Sequence, residues 1–368
     1  MEFRAAVLHE TGKPLTVERV RARSLAPTDV LVRIGASGLC HTDLEVIEGQ
    51  LARPLPIILG HEGAGVVEAV GADVQRVRPG DHVICSWNPN CGHCYYCEQG
   101  LPILCEPVSG NHPRGFLLDG QSRLSLATDA TLHHFSMVSS HAEFCIVPEA
   151  GAIAVPREIP FDRACVIGCA VMTGYGAATR VAPVGVGSSV VVAGCGAVGL
   201  NVIQGAVARG AARIIGVDPD ATRRKHAMAF GATDVIDAAA GDTVAAVRAL
   251  TRGRGADFAF EAAGHEDAMR LALEAARPGA DVVILGKIGA ARDIRLRFGA
   301  LMGEKRIVRS SYGGARPRID FPALARLYLD GKLKLDELVT QRISLDDINS
   351  GFAAMKDRGT LRSVVVFA

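Results

Sequence analysis

The alternation of apolar and polar positions gives the chain two textures. Up to about residue 170, short apolar runs are separated by turns rich in Pro and Gly; the clearest are Ala5-Ala6-Val7-Leu8, Val30-Leu31-Val32-Arg33-Ile34, Val66-Val67-Glu68-Ala69-Val70 and His82-Val83-Ile84. Runs this short, bounded by turn residues, predict strands and a mainly antiparallel β domain. From about Pro183 the pattern changes. Apolar, β-branched runs at 189–193, 213–218, 233–236, 257–261, 281–285 and 306–311 alternate with Ala-rich helical stretches such as 200–209, 221–230 and 266–276. Strand–helix alternation predicts a parallel, doubly wound α/β sheet with helices on both faces. The chain ends in an apolar run, 363–367, expected to fold back onto the first domain.

At 368 residues the chain is too long for one hydrophobic core. The expected division is 1–172 with 314–368, and 173–313. A net charge of +1 removes the electrostatic case for a nucleic-acid or membrane-surface partner. The triplet Arg223-Arg224-Lys225 reads as a solvated helix face and does not alter that. Residues 188–208 approach the length of a membrane span, but Gly194, Gly196 and Gly199 interrupt them where a strand would turn into a helix. Charges recur through the first thirty residues with no apolar core, so the expectation is a cytoplasmic protein without a secretory signal. Ten cysteines in such a chain suggest metal ligands or buried thiols before disulfides.

Gly194-Cys195-Gly196-Ala197-Val198-Gly199 fits G-x-G-x-x-G, follows a β-branched strand and opens a helix, the context a dinucleotide site requires. Such glycines let the backbone approach a pyrophosphate at the positive helix N-terminus. Asp218 closes the next strand, where a carboxylate binds ribose hydroxyls and repels a 2′-phosphate; NAD is therefore expected over NADP. Arg223 and Arg224 lie close by and leave room for a softer discrimination. The competing reading is a Gly-rich turn closing an ordinary βα unit.

Cys91, Cys94, Cys97 and Cys105 fall within fifteen residues, and their C-x-x-C steps suit a closed, tetrahedral and hence structural Cys₄ zinc site. His93 between them is read as a bystander. A looser set comprises Gly38-Leu-Cys40-His41-Thr42-Asp43, Gly60-His61-Glu62-Gly63-Ala64-Gly65 and Gly168-Cys169. No spacing rule joins Cys40, His61 and Cys169.

These segments, with Ile167-Gly-Cys169-Ala-Val-Met-Thr173-Gly-Tyr-Gly176, resemble the zinc-dependent medium-chain alcohol dehydrogenases from about Phe3 to the last strand. The resemblance implies a GroES-like, mainly antiparallel β catalytic domain and a Rossmann cofactor domain. It implies two zinc ions per subunit, NAD, and hydride transfer between a primary alcohol and its aldehyde. Cys40, His61 and Cys169 match the catalytic zinc ligands. Asp43 matches the residue that orients His61, and Glu62 a carboxylate behind the metal. Thr42 matches the hydroxyl that takes the alcohol proton. His41 and Arg362 match pyrophosphate contacts, and Thr173 and Val198 residues around the nicotinamide. Trp87, Phe135, Ser136 and Ser311 match the alcohol pocket. The stretch 106–141 resembles the long loop of dimeric members, so a homodimer is expected. Cys85, Cys145, Cys165 and Cys195 are left as buried, unligated thiols.

Two departures stand out. Many relatives end a proton relay on histidine five residues after the zinc cysteine, where this chain has Glu45, either a relay group or a surface carboxylate. Glutathione-dependent formaldehyde dehydrogenases carry an acidic pair in the loop after the Cys-His-Thr-Asp motif and an arginine after the fourth lobe cysteine. Here Glu48-Gly-Gln-Leu-Ala-Arg53-Pro and Ser109 stand there, which disfavours that activity. The residues are also compatible with a nicotinoprotein that holds its NAD tightly and with a non-catalytic NAD-binding protein.

Overall fold

A computed structural model describes residues 1–289, 292–357 and 360–367. The chain divides into one unit of Met1–Cys169 with Arg316–Ala368 and another of Ala170–Ala315, against the expected boundaries 172/173 and 313/314. The first boundary falls inside a continuous helical run, Phe161–Val181, whose hydropathy bears no mark of a domain edge. That run is long and apolar enough to cross a membrane, yet 67% of its apolar window is buried inside the fold.

In the first unit the strands are β1 (Glu2–Leu8), β2 (Thr16–Ala22), β3 (Asp29–Gly38), β4 (Ile57–Ile58), β5 (Glu62–Val70), β6 (His82–Cys85), β7 (Leu124–Leu126), β8 (Thr131–His134), β9 (Phe144–Pro148) and β10 (Ala152–Ala154). Strands β1, β2, β7, β8 and β4 close into a barrel. A second sheet runs β10-β6-β5-β3 and continues through the last two strands in sequence, β18 (Ser363–Val366) and then β17 (Gln341–Ile343), which follow the six strands of the second unit. Inward-facing Val30, Val32, Ile34, Val67 and Val83 of this sheet bury one core with Cys85, Cys145 and Val147. Strand β18 pairs antiparallel with β3, Val364 opposite Gly38 and Val366 opposite Ala36, so the apolar tail does return to the first unit.

In the second unit β11 (Ser189–Ala193), β12 (Arg213–Asp218), β13 (Asp234–Asp237), β14 (Ala256–Glu261), β15 (Ala276–Ile284) and β16 (Arg306–Arg309) form one sheet of order β13-β12-β11-β14-β15-β16. Every pairing in it is parallel. The 188–208 stretch resolves into β11 and the helix Ala197–Ala208, split at the glycines. Strand order reverses between β11 and β14. A crevice therefore opens at their carboxyl ends, the place where such sheets bind ligands.

Candidate active site

Cys40 caps the helix His41–Ile47. Asp43, at its third position, reaches back to accept the Cys40 backbone N–H at 3.0 Å, the reciprocal arrangement that starts helices. The same carboxylate, wholly buried, accepts the Gly60 N–H at 3.0 Å and faces His61 Nδ1 at 3.2 Å. One aspartate thus starts the helix and orients the imidazole, leaving Nε2 for another partner. Gly60 has φ +92°, and a Cβ there would lie 2.6 Å from the His141 nitrogen, so glycine is required for His61 to follow the turn.

Cys169 comes from the other side, in the π-helical turn Ile167–Val171 of the long apolar helix. Such turns in α-helices are frequent at functional sites. Donor atoms of Cys40, His61, Glu62 and Cys169 all lie within 4.8 Å of one another. The pairing with Cys169, together with Arg362 and His61, holds the Cys40 thiol well below its ordinary pKa, whereas the same pairing and burial hold Cys169 well above it. Burial works against a charged His61, yet Asp43 and Cys40 hold its pKa well above the usual range. Burial pushes Glu62 up to about 8, with Arg362 acting the other way. Arg362 is buried, 3.0 Å from Glu62 Oε1, and donates to the Leu39 carbonyl at 2.6 Å. Two soft thiols and one imidazole, crowded and oriented without a disulfide, are the donor set of a zinc site.

The other four-cysteine group also converges, with Cys91, Cys94, Cys97 and Cys105 sulfurs within 4.8 Å. The Cys91 N–H donates to Cys105 Sγ at 3.3 Å and the Glu106 N–H to Cys94 Sγ at 3.5 Å. His93 is exposed and outside the cluster. Cys85, Cys145, Cys165 and Cys195 are buried and belong to neither group.

At the carboxyl edge of the parallel sheet, two of the three motif glycines are demanded by the fold. Gly194 has φ +97°, and a Cβ on Gly199 would lie 1.9 Å from the Gly194 carbonyl oxygen. Gly196 is different. Its φ of −76° suits any residue, and the nearest atom to a Cβ there is Arg223 Nη1 at 3.9 Å. Open space at the helix N-terminus beside a glycine that the fold does not need is the cradle of a bound phosphate group. Asp218, buried at the end of β12, accepts the Cys195 and Asp220 N–H groups at 2.9 Å each. Arg224 is held by the Asp218 and Pro219 carbonyls at 2.8 Å and by Asp237 at 2.9 Å.

Residues 26–157 match the family described as alcohol dehydrogenase GroES-like domain, and 197–330 that described as zinc-binding dehydrogenase. The chain is 38% identical to the alcohol dehydrogenase class-3 of Cereibacter sphaeroides, covering 100% of both. It belongs to the zinc-dependent medium-chain alcohol dehydrogenases. It is also 38% identical to the NDMA-dependent alcohol dehydrogenase of Amycolatopsis methanolica, covering 100% of this chain and 99% of that one. The crystal structure of benzyl alcohol dehydrogenase from Acinetobacter calcoaceticus superposes with a TM-score of 0.94 at 32% identity, covering 100% of each chain. The β unit and the parallel-sheet unit are the GroES-like and Rossmann domains of this family.

The remaining site residues are distributed as follows in this alcohol dehydrogenase. Thr42 and Glu45 are half-buried on the Cys40 helix, and His41 is exposed. Phe135 is fully buried, its ring edge-on to His61 with centroids 5.6 Å apart. Ser136, with φ +54°, bonds His112 Nε2 at 3.0 Å through its hydroxyl. Trp87 is half-buried against the β3–β5–β6 core. In the other unit Thr173 and Val198 are half-buried and Ser311 exposed.

Two further residues were given no role by the sequence, the first of them beside Asp43 and the second in the loop after the Cys40 helix. His141, fully buried, has Nδ1 2.9 Å from Ser37 Oγ and Nε2 4.0 Å from Asp43. Arg53 lies half-buried in the loop before β4.

Proposed function

We propose that the chain reversibly oxidises a primary alcohol to its aldehyde with NAD, using a catalytic zinc at Cys40, His61 and Cys169 and a structural zinc at Cys91, Cys94, Cys97 and Cys105. The observation that carries this is the convergence of the Cys40, His61, Glu62 and Cys169 donors beside an oriented imidazole. Zinc held by Cys40, His61 and Cys169 would supply a Lewis acid that lowers the pKa of an alcohol, and a nicotinamide dinucleotide held at the Gly194–Gly199 turn would supply the hydride acceptor.

The protein's own groups position and move protons. Asp43 fixes the His61 tautomer by accepting its Nδ1–H. Arg362 offsets the Glu62 charge behind the thiols, so the donor set carries less unbalanced charge. The Thr42 hydroxyl takes the alcohol proton, and Glu45, on the same helix, passes it towards solvent. Gly196 and Ala197 receive the pyrophosphate end of the dinucleotide, and Val198 belongs with Thr173 around the nicotinamide. Asp218 favours the unphosphorylated adenosine ribose, and Arg224 does not oppose it because its guanidinium is committed to Asp237 and two carbonyls. Thr173 and Ser311 belong to the nicotinamide and alcohol environment, with Trp87, Phe135 and Ser136. A cytoplasmic homodimer completes the reading, the dimer supported by the resemblance of the 106–141 stretch to the long loop of dimeric members.

The test is NADH formation with excess NAD across primary alcohols, including benzyl alcohol, with formaldehyde run with and without glutathione. Turnover of free alcohols without thiol supports the reading. Activity confined to formaldehyde with glutathione overturns it in favour of the activity named for relatives such as that of Paracoccus denitrificans, the S-(hydroxymethyl)glutathione dehydrogenase.

A further inference from the structure

The loop between the Cys40 helix and β4 is anchored at both ends to the site. Leu51 N–H donates to the Glu45 carbonyl at 2.9 Å, and the Pro56 carbonyl accepts His133 N–H at 2.9 Å, two residues before Phe135. Leu51 and Leu55 pack against the cluster that contains Leu44 and Phe135. Between them stands Arg53.

Its guanidinium is poorly satisfied. Nη1 donates to the Ala52 carbonyl at 2.7 Å; Nε is shut off from solvent without a partner. No carboxylate among the described residues pairs with it. Glu48, the acid on this loop, is taken by Lys356 Nζ at 2.6 Å and by Gln50 at 3.2 Å. Burial with nothing to offset it draws the Arg53 pKa below the ordinary arginine value. Three other shielded arginines are compensated: Arg123 by Asp29 at 2.6 Å, Arg224 by Asp237 at 2.9 Å and Arg362 by Glu62 at 3.0 Å, whereas Arg309 spends its guanidinium on the Ile284 and Ser310 carbonyls. A guanidinium fork held partly out of water with no anion is a receptor for a carboxylate or phosphate.

We propose that Arg53 receives an anionic group at the far end of the substrate, so that the alcohol is a hydroxy acid or hydroxyalkyl phosphate with a terminal primary hydroxyl. This rests on the dehydrogenase reading above. It adds the charge of the substrate, which the zinc chemistry leaves open.

The test compares 1-hexanol, 6-hydroxyhexanoate and 6-hydroxyhexyl phosphate as substrates of the wild-type zinc- and NAD-loaded enzyme and of Arg53→Gln and Arg53→Glu. Wild type should favour at least one anionic alcohol over 1-hexanol by about tenfold or more in kcat/KM, mainly through KM, the size of one charge-assisted hydrogen bond. The carboxylate and phosphate arms identify the anion. Arg53→Gln should abolish the preference, and Arg53→Glu should turn it towards 6-amino-1-hexanol. A wild-type ratio near one, or a ratio that survives Arg53→Gln, overturns the proposal. Calorimetric binding of hexanoate and of hexyl phosphate keeps the two readings apart, because neither needs turnover. If no alcohol is oxidised but one of these ligands binds wild type and not Arg53→Gln, the anion site stands and the dehydrogenase reading falls.

Discussion

The three motif glycines should separate folding from cofactor binding. A methyl group on Gly199 would meet the Gly194 oxygen at 1.9 Å, and one on Gly194 would meet the Ala263 nitrogen at 2.7 Å with φ at +97°. Backbone atoms on both sides cannot yield cheaply, so Gly199→Ala and Gly194→Ala should each destabilise by roughly 2–4 kcal/mol or prevent folding, as overpacking and a disfavoured φ together imply. Gly196→Ala meets nothing closer than 3.9 Å, at an ordinary φ of −76°. Its cost is the weaker helix-capping preference of Ala, about 0.5–1 kcal/mol. Yet the added methyl occupies the space where a pyrophosphate would accept backbone N–H bonds. Losing one such charge-assisted bond, ~1.5–3 kcal/mol, weakens NAD binding by roughly 10- to 150-fold. Urea melts of the apoprotein and NADH fluorescence titrations measure the two effects. A Gly196→Ala protein that folds and binds NADH as wild type does would refute the assignment of the cradle to the pyrophosphate.

Asp43→Asn keeps the shape but turns an amide towards at least one of the Cys40, Gly60 and His61 donors; zinc affinity or kcat/KM should fall about 10- to 100-fold, and equality with wild type in both would remove Asp43 from the site. Cys97→Ser should lower zinc from two ions per subunit to one and forfeit part of the roughly 10–16 kcal/mol that structural zinc supplies in small modules; metal analysis beside thermal melts checks this, and a retained second zinc contradicts it. Burial, helped by Arg123, holds His134 neutral with its pKa drawn from 6.5 to about 3. The unfolded chain therefore takes up this proton first, so stability is full above about pH 6.5 and falls by up to ~1.4 kcal/mol per pH unit between there and about 3. In His134→Gln, whose amide oxygen can still accept the Arg123 N–H, the loss between pH 7 and 5 should shrink; an unchanged slope assigns it elsewhere.

Much of this was legible in residue order because it rests on local rules. Glycine spacing after β11 and the paired C-x-x-C steps of the lobe each encode one turn or one metal, and short apolar runs between Pro- and Gly-containing turns marked strands of the first unit. Cys40, His61 and Cys169 were not joined by any local rule; they meet because β5, the Cys40 helix and a π-helical turn converge, and only resemblance named them in advance. Arg362 was expected from resemblance to meet a pyrophosphate; its contacts with Glu62 and the Leu39 carbonyl depend on where β18 inserts and had no local signal. His141 and Arg53 were invisible for the same reason. Each is one ordinary residue in a loop, and its meaning lies in what the tertiary fold sets beside it, or fails to.

The docking of β18 on β3 has a consequence for biosynthesis. Arg362 meets Leu39 across 323 positions of sequence, while the parallel-sheet unit is a single uninterrupted stretch between them. A ribosome therefore finishes the Rossmann unit while the GroES-like unit still lacks β17 and β18, and domains fold as they emerge. Until residue 362 is released, Glu62 sits among the thiols without its counter-charge. In that interval Cys40 and Cys169 stand beside Glu62 without the Arg362 guanidinium that completes their surroundings in the folded chain.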